Sequence, residues 1–252
     1  MNIMITAGGT TESIDNVRSI TNTGTGRLGA VIAEQFAGQD AVDRIFYICN
    51  ARAVRPTANK IEQHIAEDTK QLEQTIQTLC QFEKIDAVIH SMAVSDYRVR
   101  NITTASAIAE DIAETLSQKH SCSIEQMTEC IYNSATFRKE DKISSNVEDL
   151  VILLEKTPKV IAQLRPLLPD AVIVGFKLLS GVDEETLIDT AFELLRKNDC
   201  DYVLANDMHT VSGYANHIGY LVDRNKHYGI QIGKEEIAKF IVRTVLNHEG
   251  GL

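Results

Sequence analysis

The chain has 252 residues, of which 44% are hydrophobic, and its formal net charge at pH 7 is −10. This length fits one large domain or two small ones, and the apolar content is sufficient for a buried core. The acidic balance argues against a nucleic-acid partner, because phosphate backbones are bound by clustered lysine and arginine side chains.

The five cysteines are scattered and include no C-x-x-C pair, which favours free thiols in a reducing compartment. The start of the chain, MNIMITAGGT, lacks a basic region followed by an apolar one. No run approaches the ~20 apolar residues of a membrane-spanning helix. These features predict a cytoplasmic protein without a membrane partner.

Short runs rich in Ile and Val alternate with longer amphipathic stretches, which is typical of strands and crossover helices in a parallel sheet. The predicted strands are Asn2–Thr6, Arg44–Cys49, Asp86–Ser91, Leu150–Lys156, Ala171–Phe176 and Tyr202–Asn206. The predicted helices are Gly26–Ala37, Thr69–Phe82, Thr103–Lys119, Lys159–Leu167, Glu184–Lys197 and Lys234–Asn247. The expected fold class is α/β, a three-layer α/β/α Rossmann-like sheet that is mostly parallel.

Local signals refine these predictions. Asp68 and Gln71 have the spacing of a reciprocal helix cap. HIGYLVDRN and HYGIQI predict a C-terminal β-hairpin around Asn225 and Lys226, which could form an arm. No linker divides the chain, so a single domain over 1–252 is expected, with residues 101–141 as a lid or insertion.

The segment Gly24–Gly29, GTGRLG, is a literal G-x-G-x-x-G. A dinucleotide fingerprint places its first glycine directly after the first strand and an acid at the end of the second. Here the first strand ends near Thr6, and the second ends at CNAR, residues 49–52, without an acid. The pattern therefore disfavours a nicotinamide site.

A different phosphate site has a physical rationale. Gly8 and Gly9 let the chain turn at the end of the first strand, and TNTGTG opens the next helix with exposed amides that attract anions. The alternative is that Gly24 and Gly26 serve only close packing or positive φ angles. The residues alone leave both interpretations open.

Six stretches in order carry a family resemblance: ITAGGTTESIDNVRSITNTGTGRLG, HSMAVSDYRV, DKISS, KTPKVIA, IVGFKLL and RKNDCDYVLANDM. Together they resemble phosphopantothenate-cysteine ligase, also called phosphopantothenoylcysteine synthetase. The resemblance extends over nearly the whole chain and is weakest from 101 to 141.

This resemblance implies a step of coenzyme A biosynthesis. The carboxylate of 4'-phosphopantothenate is activated by a nucleoside triphosphate, usually CTP in bacteria with ATP as the alternative, and pyrophosphate leaves. The amine of cysteine then attacks the acyl nucleotide. The family further implies Mg²⁺ and a homodimer, for which the hairpin near 220–231 is the candidate exchanged element. Because Met1 directly precedes the first strand, we expect the standalone form, with a separate phosphopantothenoylcysteine decarboxylase as a candidate partner.

Three residues acquire chemical roles through the resemblance. Asn22 is expected to stabilise the acyl nucleotide by donating to an oxygen that gains charge. Asp96 is expected to contact the nucleotide and its Mg²⁺, an ion that prefers oxygen ligands. Lys142 is expected to neutralise the triphosphate. From the residues alone, the three read as a turn residue, a turn or helix-cap Asp, and a solvated lysine.

The remaining nucleotide-binding positions implied by the resemblance are Gly8, Gly9, Gly24, Gly26, Ala93, Pro158, Ile161, Ala162, Phe176 and Lys197. Phe176 alone would be read as core, and Lys197 as a cation that favours a helix C-terminus. Lys197 matches the second of two lysines that the family spaces four apart on a helix, and Glu193 stands at the first of these positions. Ser144 and Ser145 replace charge that many relatives carry. The family also carries Asn206 and Asp207 at a strand end.

Two other functions are consistent with the fold class. The first is an NAD(P)-dependent oxidoreductase, which the literal G-x-G-x-x-G favours and the missing acid disfavours. The second is a catalytically silent nucleotide-binding protein, which Glu193 and the altered DKISS region favour.

Overall fold

The computed structural model describes residues 1–119, 121–134, 136–138, 141–211 and 217–248. The strands are β1 (Asn2–Ala7), β2 (Thr11–Ser13), β3 (Ser19–Thr21), β4 (Arg44–Cys49), β5 (Ile61–Ile65), β6 (Ala87–His90), β7 (Tyr97–Thr104), β8 (Leu150–Lys156), β9 (Val172–Leu179), β10 (Tyr202–Asp207), β11 (Ile218–Asp223) and β12 (Tyr228–Ile232). The helices are α1 (Arg27–Ala37), α2 (Thr69–Phe82), α3 (Ala105–Lys119), α4 (Ile124–Asn133), α5 (Val160–Leu167), α6 (Glu184–Asn198), α7 (Met208–Val211) and α8 (Lys234–Leu246).

The chain divides into two compact units. The first, here called the sheet unit, comprises Met1–Thr10, Thr23–Val94 and Lys159–Leu252. The second, the small unit, comprises Thr11–Asn22 and Ser95–Pro158. The single domain predicted from the sequence therefore contains two units. The predicted lid, residues 101–141, lies within the longer segment of the small unit.

The sheet unit contains an eight-stranded sheet in the order β12-β11-β10-β9-β6-β1-β4-β5. The six neighbouring strands β5, β4, β1, β6, β9 and β10 pair in parallel. Strand β11 pairs antiparallel with both β10 and β12. The predicted hairpin is thus confirmed, with Asp223 and Lys226 closing its turn. The short edge strand β5, IEQHI, was missed because its apolar residues are few.

Side chains on the two faces of this sheet enter two apolar clusters, since successive residues of a strand point to opposite faces. Ile3 and Ile5 pack in the cluster covered by α1 and α8. Met4 packs in the cluster covered by α2, α5 and α6. The three-layer α/β/α fold predicted from the sequence is confirmed.

The small unit is built from antiparallel pairs, β2 with β3 and β7 with β8. We predicted β8 as a strand of the parallel sheet, and this placement is wrong. The predicted helix from Thr103 was also too long, because the β-branched residues at 103 and 104 end β7 and α3 begins at Ala105. The buried core of this unit is small and consists of Val99, Ile102 and Ile143.

The predicted cap of α2 is present in a modified form. The Asp68 Oδ1 accepts from the Gln71 amide at 2.7 Å, and the Gln71 side chain accepts from the Glu67 amide at 2.9 Å. Helix α1 begins at Arg27, one residue later than predicted, because Gly26 adopts a left-handed conformation with φ 72°. Within the described residues, no helix has the length and apolar character needed to cross a membrane.

Candidate active site

The candidate site begins where the parallel strands end, which is the edge at which open α/β sheets bind ligands. Gly8 and Gly9 follow β1, and Gly9 forms an isolated parallel bridge with Ala93, beyond β6. Gly24 and Gly26 precede α1 and pack against the Gly8 backbone. We call Gly8, Gly9, Gly24 and Gly26 the glycine cluster.

Three glycines of the cluster have no room for a side chain. A Cβ on Gly24 would lie 2.5 Å from the Gly8 carbonyl oxygen. A Cβ on Gly8 would lie 2.9 Å from the Ala53 Cβ, and one on Gly26 would lie 3.1 Å from it. Gly8 and Gly26 also have φ angles of 87° and 72°. Close packing is thus present at Gly8, Gly24 and Gly26, and anion binding by the cluster stays a prediction.

Hydrogen bonds fix the direction of both peptide groups in the Gly8–Gly9 turn. The Gly8 carbonyl accepts from the Ala93 amide at 2.9 Å, and the Ala93 carbonyl accepts from the Thr10 amide at 3.0 Å. The Gly9 carbonyl accepts from Asn50 Nδ2 at 2.5 Å. Because a trans peptide is planar, the Gly9 N–H points away from the Gly8 carbonyl and hence from Ala93.

Ala93 therefore has a structural task. The resemblance implies that its backbone contacts the nucleotide, but its amide already donates to the Gly8 carbonyl. Its carbonyl accepts from the Thr10 amide, and its methyl group is exposed. The contact between Ala93 and the nucleotide stays a prediction.

Asn50 is a site residue that the sequence analysis missed. It is buried, directly follows β4, and holds the glycine turn through its side-chain amide. Its Oδ1 accepts from the Arg52 amide at 3.2 Å. The available signal was its position, because a dinucleotide fingerprint would place its ribose-binding acid there.

Uncharged groups at the ends of β1 and β6 form hydrogen bonds next to the glycine cluster. The Ser91 hydroxyl donates to the Thr6 carbonyl at 2.6 Å, and the Thr6 Oγ1 lies 2.9 Å from His90 Nδ1. Burial lowers the pKa of His90 to about 4, so its imidazole is uncharged at neutral pH. The Met92 amide also donates to Thr6 Oγ1, at 3.3 Å.

The structure separates three predicted positions along β9 and α5. Ile161 reaches the backbone of Gly175, where an added Cβ would be 3.0 Å from its Cδ1, and it packs on the cluster under α5. Phe176 is half-buried and packs against the opposite cluster, under α1 and α8. Ala162 is exposed, and its amide donates to the Lys159 carbonyl. The expected core packing of Phe176 is therefore present, and its contact with a base stays a prediction.

Lys197 is not brought to the glycine cluster. Helix α6 runs back along the sheet, so its last turn precedes the start of β10 and lies at the amino edge of the sheet. The Asp201 amide just beyond it donates to the Ile173 carbonyl, at the start of β9. This position fits the other interpretation of Lys197, a cation at a helix C-terminus, and its contact with a nucleotide stays a prediction.

Asn206 and Asp207 end β10 and are both buried. Asp207 accepts from the His209 amide at 2.7 Å and from the Val182 amide at 3.1 Å, and these bonds lower the pKa of its carboxyl. Asn206 Nδ2 lies 2.7 Å from His217 Nε2. These contacts shape the carboxyl edge of the sheet.

Within the small unit, Asp96 and Pro158 share one support. The Thr157 hydroxyl donates to the Ser95 carbonyl at 2.5 Å, and the Thr157 amide donates to the Asp96 carbonyl at 3.0 Å. Asp96 is exposed and directly precedes β7, whereas Pro158 is exposed and follows β8. The end of one strand thus fixes the backbone at the start of the other.

Asn22 and Lys142 also belong to the small unit. Asn22 is half-buried and directly follows β3, whose last residue, Thr21, pairs with Thr11 through hydroxyls 2.6 Å apart. Lys142 is exposed and precedes the buried Ile143. The backbone of Ile143 is bound by Asp15, a residue that the sequence analysis missed.

The resemblance makes Asp96 the candidate ligand of Mg²⁺, an ion that prefers oxygen ligands, and this role stays a prediction. No three His, Cys, Asp or Glu side chains converge on one point among the residues that the structure describes.

Comparison with known proteins identifies the family. Residues 1–118 and 99–248 match the family described as DNA/pantothenate metabolism flavoprotein C-terminal domain. The chain belongs to this family. The resemblance inferred from the ordered motifs is thereby confirmed.

Curated relatives of this family member include longer proteins. The chain is 28% identical over 246 residues to the coenzyme A biosynthesis bifunctional protein CoaBC of Methanocaldococcus jannaschii, matching 96% of this chain and 50% of that one. It is 28% identical over 220 residues to CoaBC of Thermococcus kodakarensis, matching 86% of this chain and 43% of that one. The chain spans about half the length of these relatives.

Solved structures of the same fold are also similar. The DNA/pantothenate metabolism flavoprotein from Streptococcus pneumoniae is 33% identical, with a TM-score of 0.80 over 98% of this chain and 99% of that one. A mutant of Cab2 in complex with phosphopantothenate-cysteine is 17% identical, with a TM-score of 0.69 over 99% of this chain and 86% of that one. The second likeness is one of fold.

Proposed function

We propose that this family member joins 4'-phosphopantothenate and L-cysteine to give 4'-phosphopantothenoylcysteine in coenzyme A biosynthesis. In the first half-reaction a carboxylate oxygen of the substrate attacks the α-phosphorus of a nucleoside triphosphate. The bond between the α- and β-phosphates breaks, and pyrophosphate leaves. In the second, the amine of cysteine attacks the acyl carbon, the nucleoside monophosphate leaves, and the amine loses a proton to solvent.

The observation that carries this proposal is the family match, which extends from residue 1 to residue 248 and includes all six ordered motifs. The names of the relatives add support, because they describe coenzyme A biosynthesis proteins and a complex with phosphopantothenate-cysteine. The glycine cluster is consistent with this proposal, since a backbone without side chains can approach a phosphate closely.

The proposed roles of the residues follow from their chemistry. Asn22 has a neutral amide that can donate to an acyl oxygen as charge develops on it. Lys142 is a flexible cation that can follow the pyrophosphate as it departs. Asp96 would hold Mg²⁺, which supplies positive charge to the phosphates when it is bound. Covalent attachment of substrate to the enzyme is not required, because positioning and charge neutralisation are sufficient.

CTP is the proposed nucleotide, with ATP as the alternative. The test is an assay with phosphopantothenate, cysteine and Mg²⁺, in which CTP, ATP, GTP and UTP are compared by the mass of the product. The proposal predicts the cysteine adduct with CTP and no adduct when the nucleotide is omitted. An assay with all four nucleotides that yields no adduct and no pyrophosphate would refute it.

An NAD(P)-dependent oxidoreductase is the main rival, and Asn50 counts against it. An acid at this position would accept hydrogen bonds from ribose hydroxyls, whereas the Asn50 amide group is bound to the Gly9 carbonyl. Fluorescence titration with NADH and NADPH separates the two proposals, and we expect no saturable signal. A silent nucleotide-binding protein would bind CTP but release no pyrophosphate.

The proposed assembly is a cytoplasmic homodimer, with a separate phosphopantothenoylcysteine decarboxylase as a candidate partner. All five cysteines are free in the structure, which is consistent with a reducing compartment. The hairpin of β11 and β12 is the candidate exchanged element, and its edge strand exposes Tyr228, Ile230 and Ile232. Light scattering of the purified chain, alone and with the decarboxylase, tests the assembly.

A further inference from the structure

Both backbone polar groups of Ile143, the neighbour of Lys142, are bound by one ion pair. The Ile143 amide donates to Asp15 Oδ2 at 3.3 Å, and its carbonyl accepts from Arg18 Nη2 at 2.6 Å. Ile143 is 3% exposed, and it packs in the small core with Val99 and Ile102. The peptide that follows Lys142 is thus anchored on its backbone and through its side chain.

Asp15 is the centre of this arrangement. Its Oδ1 accepts from the amides of Val17 and Arg18 at 2.8 and 2.6 Å, and its Oδ2 accepts from Arg18 Nε at 3.0 Å. Desolvation acts to raise the pKa of Asp15, but these N–H donors and that of Ile143 outweigh it and lower the pKa to about 2. Every hydrogen-bonding partner of the side chain is a donor, so an acceptor-only carboxylate is required.

Lys142 depends on such an anchor because its ammonium group ends a flexible four-carbon stem. The backbone position of Lys142 limits the positions that the ammonium group can reach. A mobile backbone adds conformational entropy that must be lost on binding. In DKISS, residues 141–145, Lys142 is the one cation. An error in its placement therefore has no neighbouring lysine or arginine within that stretch to offset it.

We propose that Asp15 is a positioning residue for Lys142, acting through Arg18 and the backbone of Ile143. This inference rests on the proposed function, in which Lys142 neutralises the departing pyrophosphate. Asp15 itself contacts no substrate in this account. It raises the fraction of molecules in which the Lys142 ammonium group lies in position to bind the triphosphate.

The first test measures the anchor without any substrate. Asp15→Asn can keep the Oδ1 bonds to the turn, but it places an NH₂ group against the donors of Arg18 and Ile143. We expect trypsin to cleave the Lys142–Ile143 bond of the full chain roughly tenfold faster in this variant, since a charge-assisted hydrogen bond is lost. Peptide masses identify the bond that is cleaved.

The control is Asp149→Asn, because Asp149 is a carboxylate of the same unit whose Oδ2 accepts from the Ser106 amide at 2.9 Å, away from Ile143. Its cleavage rate at Lys142–Ile143 should stay within about twofold of the wild type, since the Ile143 bonds remain. Equal cleavage in the Asp15 variant and in the wild type would overturn the proposal.

The second test is a double-mutant cycle on pyrophosphate release. Asp15→Asn should slow release roughly tenfold when Lys142 is present, and less than about twofold in a Lys142→Ala background, because the two residues act as one unit. An equal loss in both backgrounds would mean that Asp15 acts independently of Lys142, and the proposal would be wrong.

The two tests also separate this inference from the proposed function. A wild-type chain that releases no pyrophosphate would refute the ligase activity, and trypsin cleavage would still decide whether Asp15 holds Lys142. An active ligase with unchanged cleavage in the Asp15 variant would refute the inference alone.

Discussion

The two units of the chain hold their candidate site residues by different forces. In the sheet unit, two large apolar clusters and close contacts among glycines fix the backbone around Gly8. In the small unit, three buried apolar residues form the core, and the backbone beside Lys142 is fixed by the Asp15–Arg18 pair. Steric changes should therefore disturb the first unit most, and changes in hydrogen bonding and charge the second.

The largest expected effect is on stability, at the edge of the sheet unit opposite to the glycine cluster. Asp201 is buried, and its Oδ2 accepts from Arg165 Nη2 at 2.7 Å and from the Ile173 amide at 2.8 Å. Asp201→Asn should lower the free energy of unfolding by about 3 kcal/mol, because it removes the carboxylate nearest to Arg165 and leaves the more distant Asp199, at 3.6 Å, as its acidic partner.

Denaturant unfolding measures the loss, with Glu236→Gln as the control. Glu236 pairs with Lys239 on the surface at 2.7 Å, so its replacement should change the free energy of unfolding by less than about 1 kcal/mol. The activity per folded molecule of the Asp201 variant should stay near that of the wild type. A severe loss of that activity would contradict the view that Asp201 stabilises the sheet unit without affecting the reaction.

The second effect is acid sensitivity of the sheet unit. Burial lowers the pKa of His90 and of His217 to about 4, below the ordinary 6.5. As the pH falls below 6.5 the unfolded chain binds protons first, so stability falls until the folded pKa is reached. Each histidine contributes up to about 1.4 kcal/mol per pH unit between 6.5 and 4. His90→Gln should flatten this slope in unfolding curves, and an unchanged slope would contradict it.

The third effect is steric and confined to the glycine cluster. A methyl group on Gly24 would meet the Gly8 carbonyl at 2.5 Å, and the backbone must shift to accommodate it. Overpacking of this kind costs about 1–3 kcal/mol, which corresponds to a ten- to hundredfold loss of ligase activity if it falls on the bound state.

Gly38→Ala is the matched control for this change. Gly38 ends the same helix with a φ of −74°, and its nearest contact to an added Cβ is 3.6 Å. Its activity should remain within about twofold of the wild type, since no backbone shift is needed. Full activity in the Gly24 variant would show that the backbone of the glycine cluster does not take part in substrate binding or turnover.

The smallest effect is local acid sensitivity of the small unit. Because its folded pKa of about 2 lies below the ordinary 3.8, Asp15 stabilises this unit above pH 4, and the contribution is lost between about pH 4 and 2. The protection of the Ile143 amide against exchange, relative to its intrinsic rate, should fall over that interval in the wild type and show no such step in Asp15→Asn. Identical profiles in the two proteins would contradict this assignment.

The sequence predicted most of the sheet unit because its elements carry strong local signals. The Ile- and Val-rich runs identify β1, β4, β6, β9 and β10, and amphipathic spacing identifies their helices. The small unit was harder to predict, since β7 and β8 pair antiparallel from segments separated by a polar stretch of chain, and periodicity does not report partners. Here β8 was assigned to the wrong sheet.

The site residues divide in the same way. The glycines could be found from sequence because each lies near the end of a predicted strand or the start of a predicted helix. Asn50 and Asp15 could not, because their importance depends on carbonyls and amides that are distant in sequence, at Gly9 and Ile143. For Lys197 the nucleotide contact stays a prediction, because a family motif identifies a residue without fixing the sheet edge on which it lies.

The central claim is that this chain forms an acyl nucleotide. The most direct measurement is mass spectrometry of the wild-type chain incubated with phosphopantothenate, CTP and Mg²⁺ but without cysteine. The account predicts 4'-phosphopantothenoyl-CMP together with an equal amount of pyrophosphate, and its conversion to the cysteine adduct when cysteine is added. An acyl phosphate accompanied by CDP, or an adduct that forms with no acyl nucleotide before it, would contradict the account.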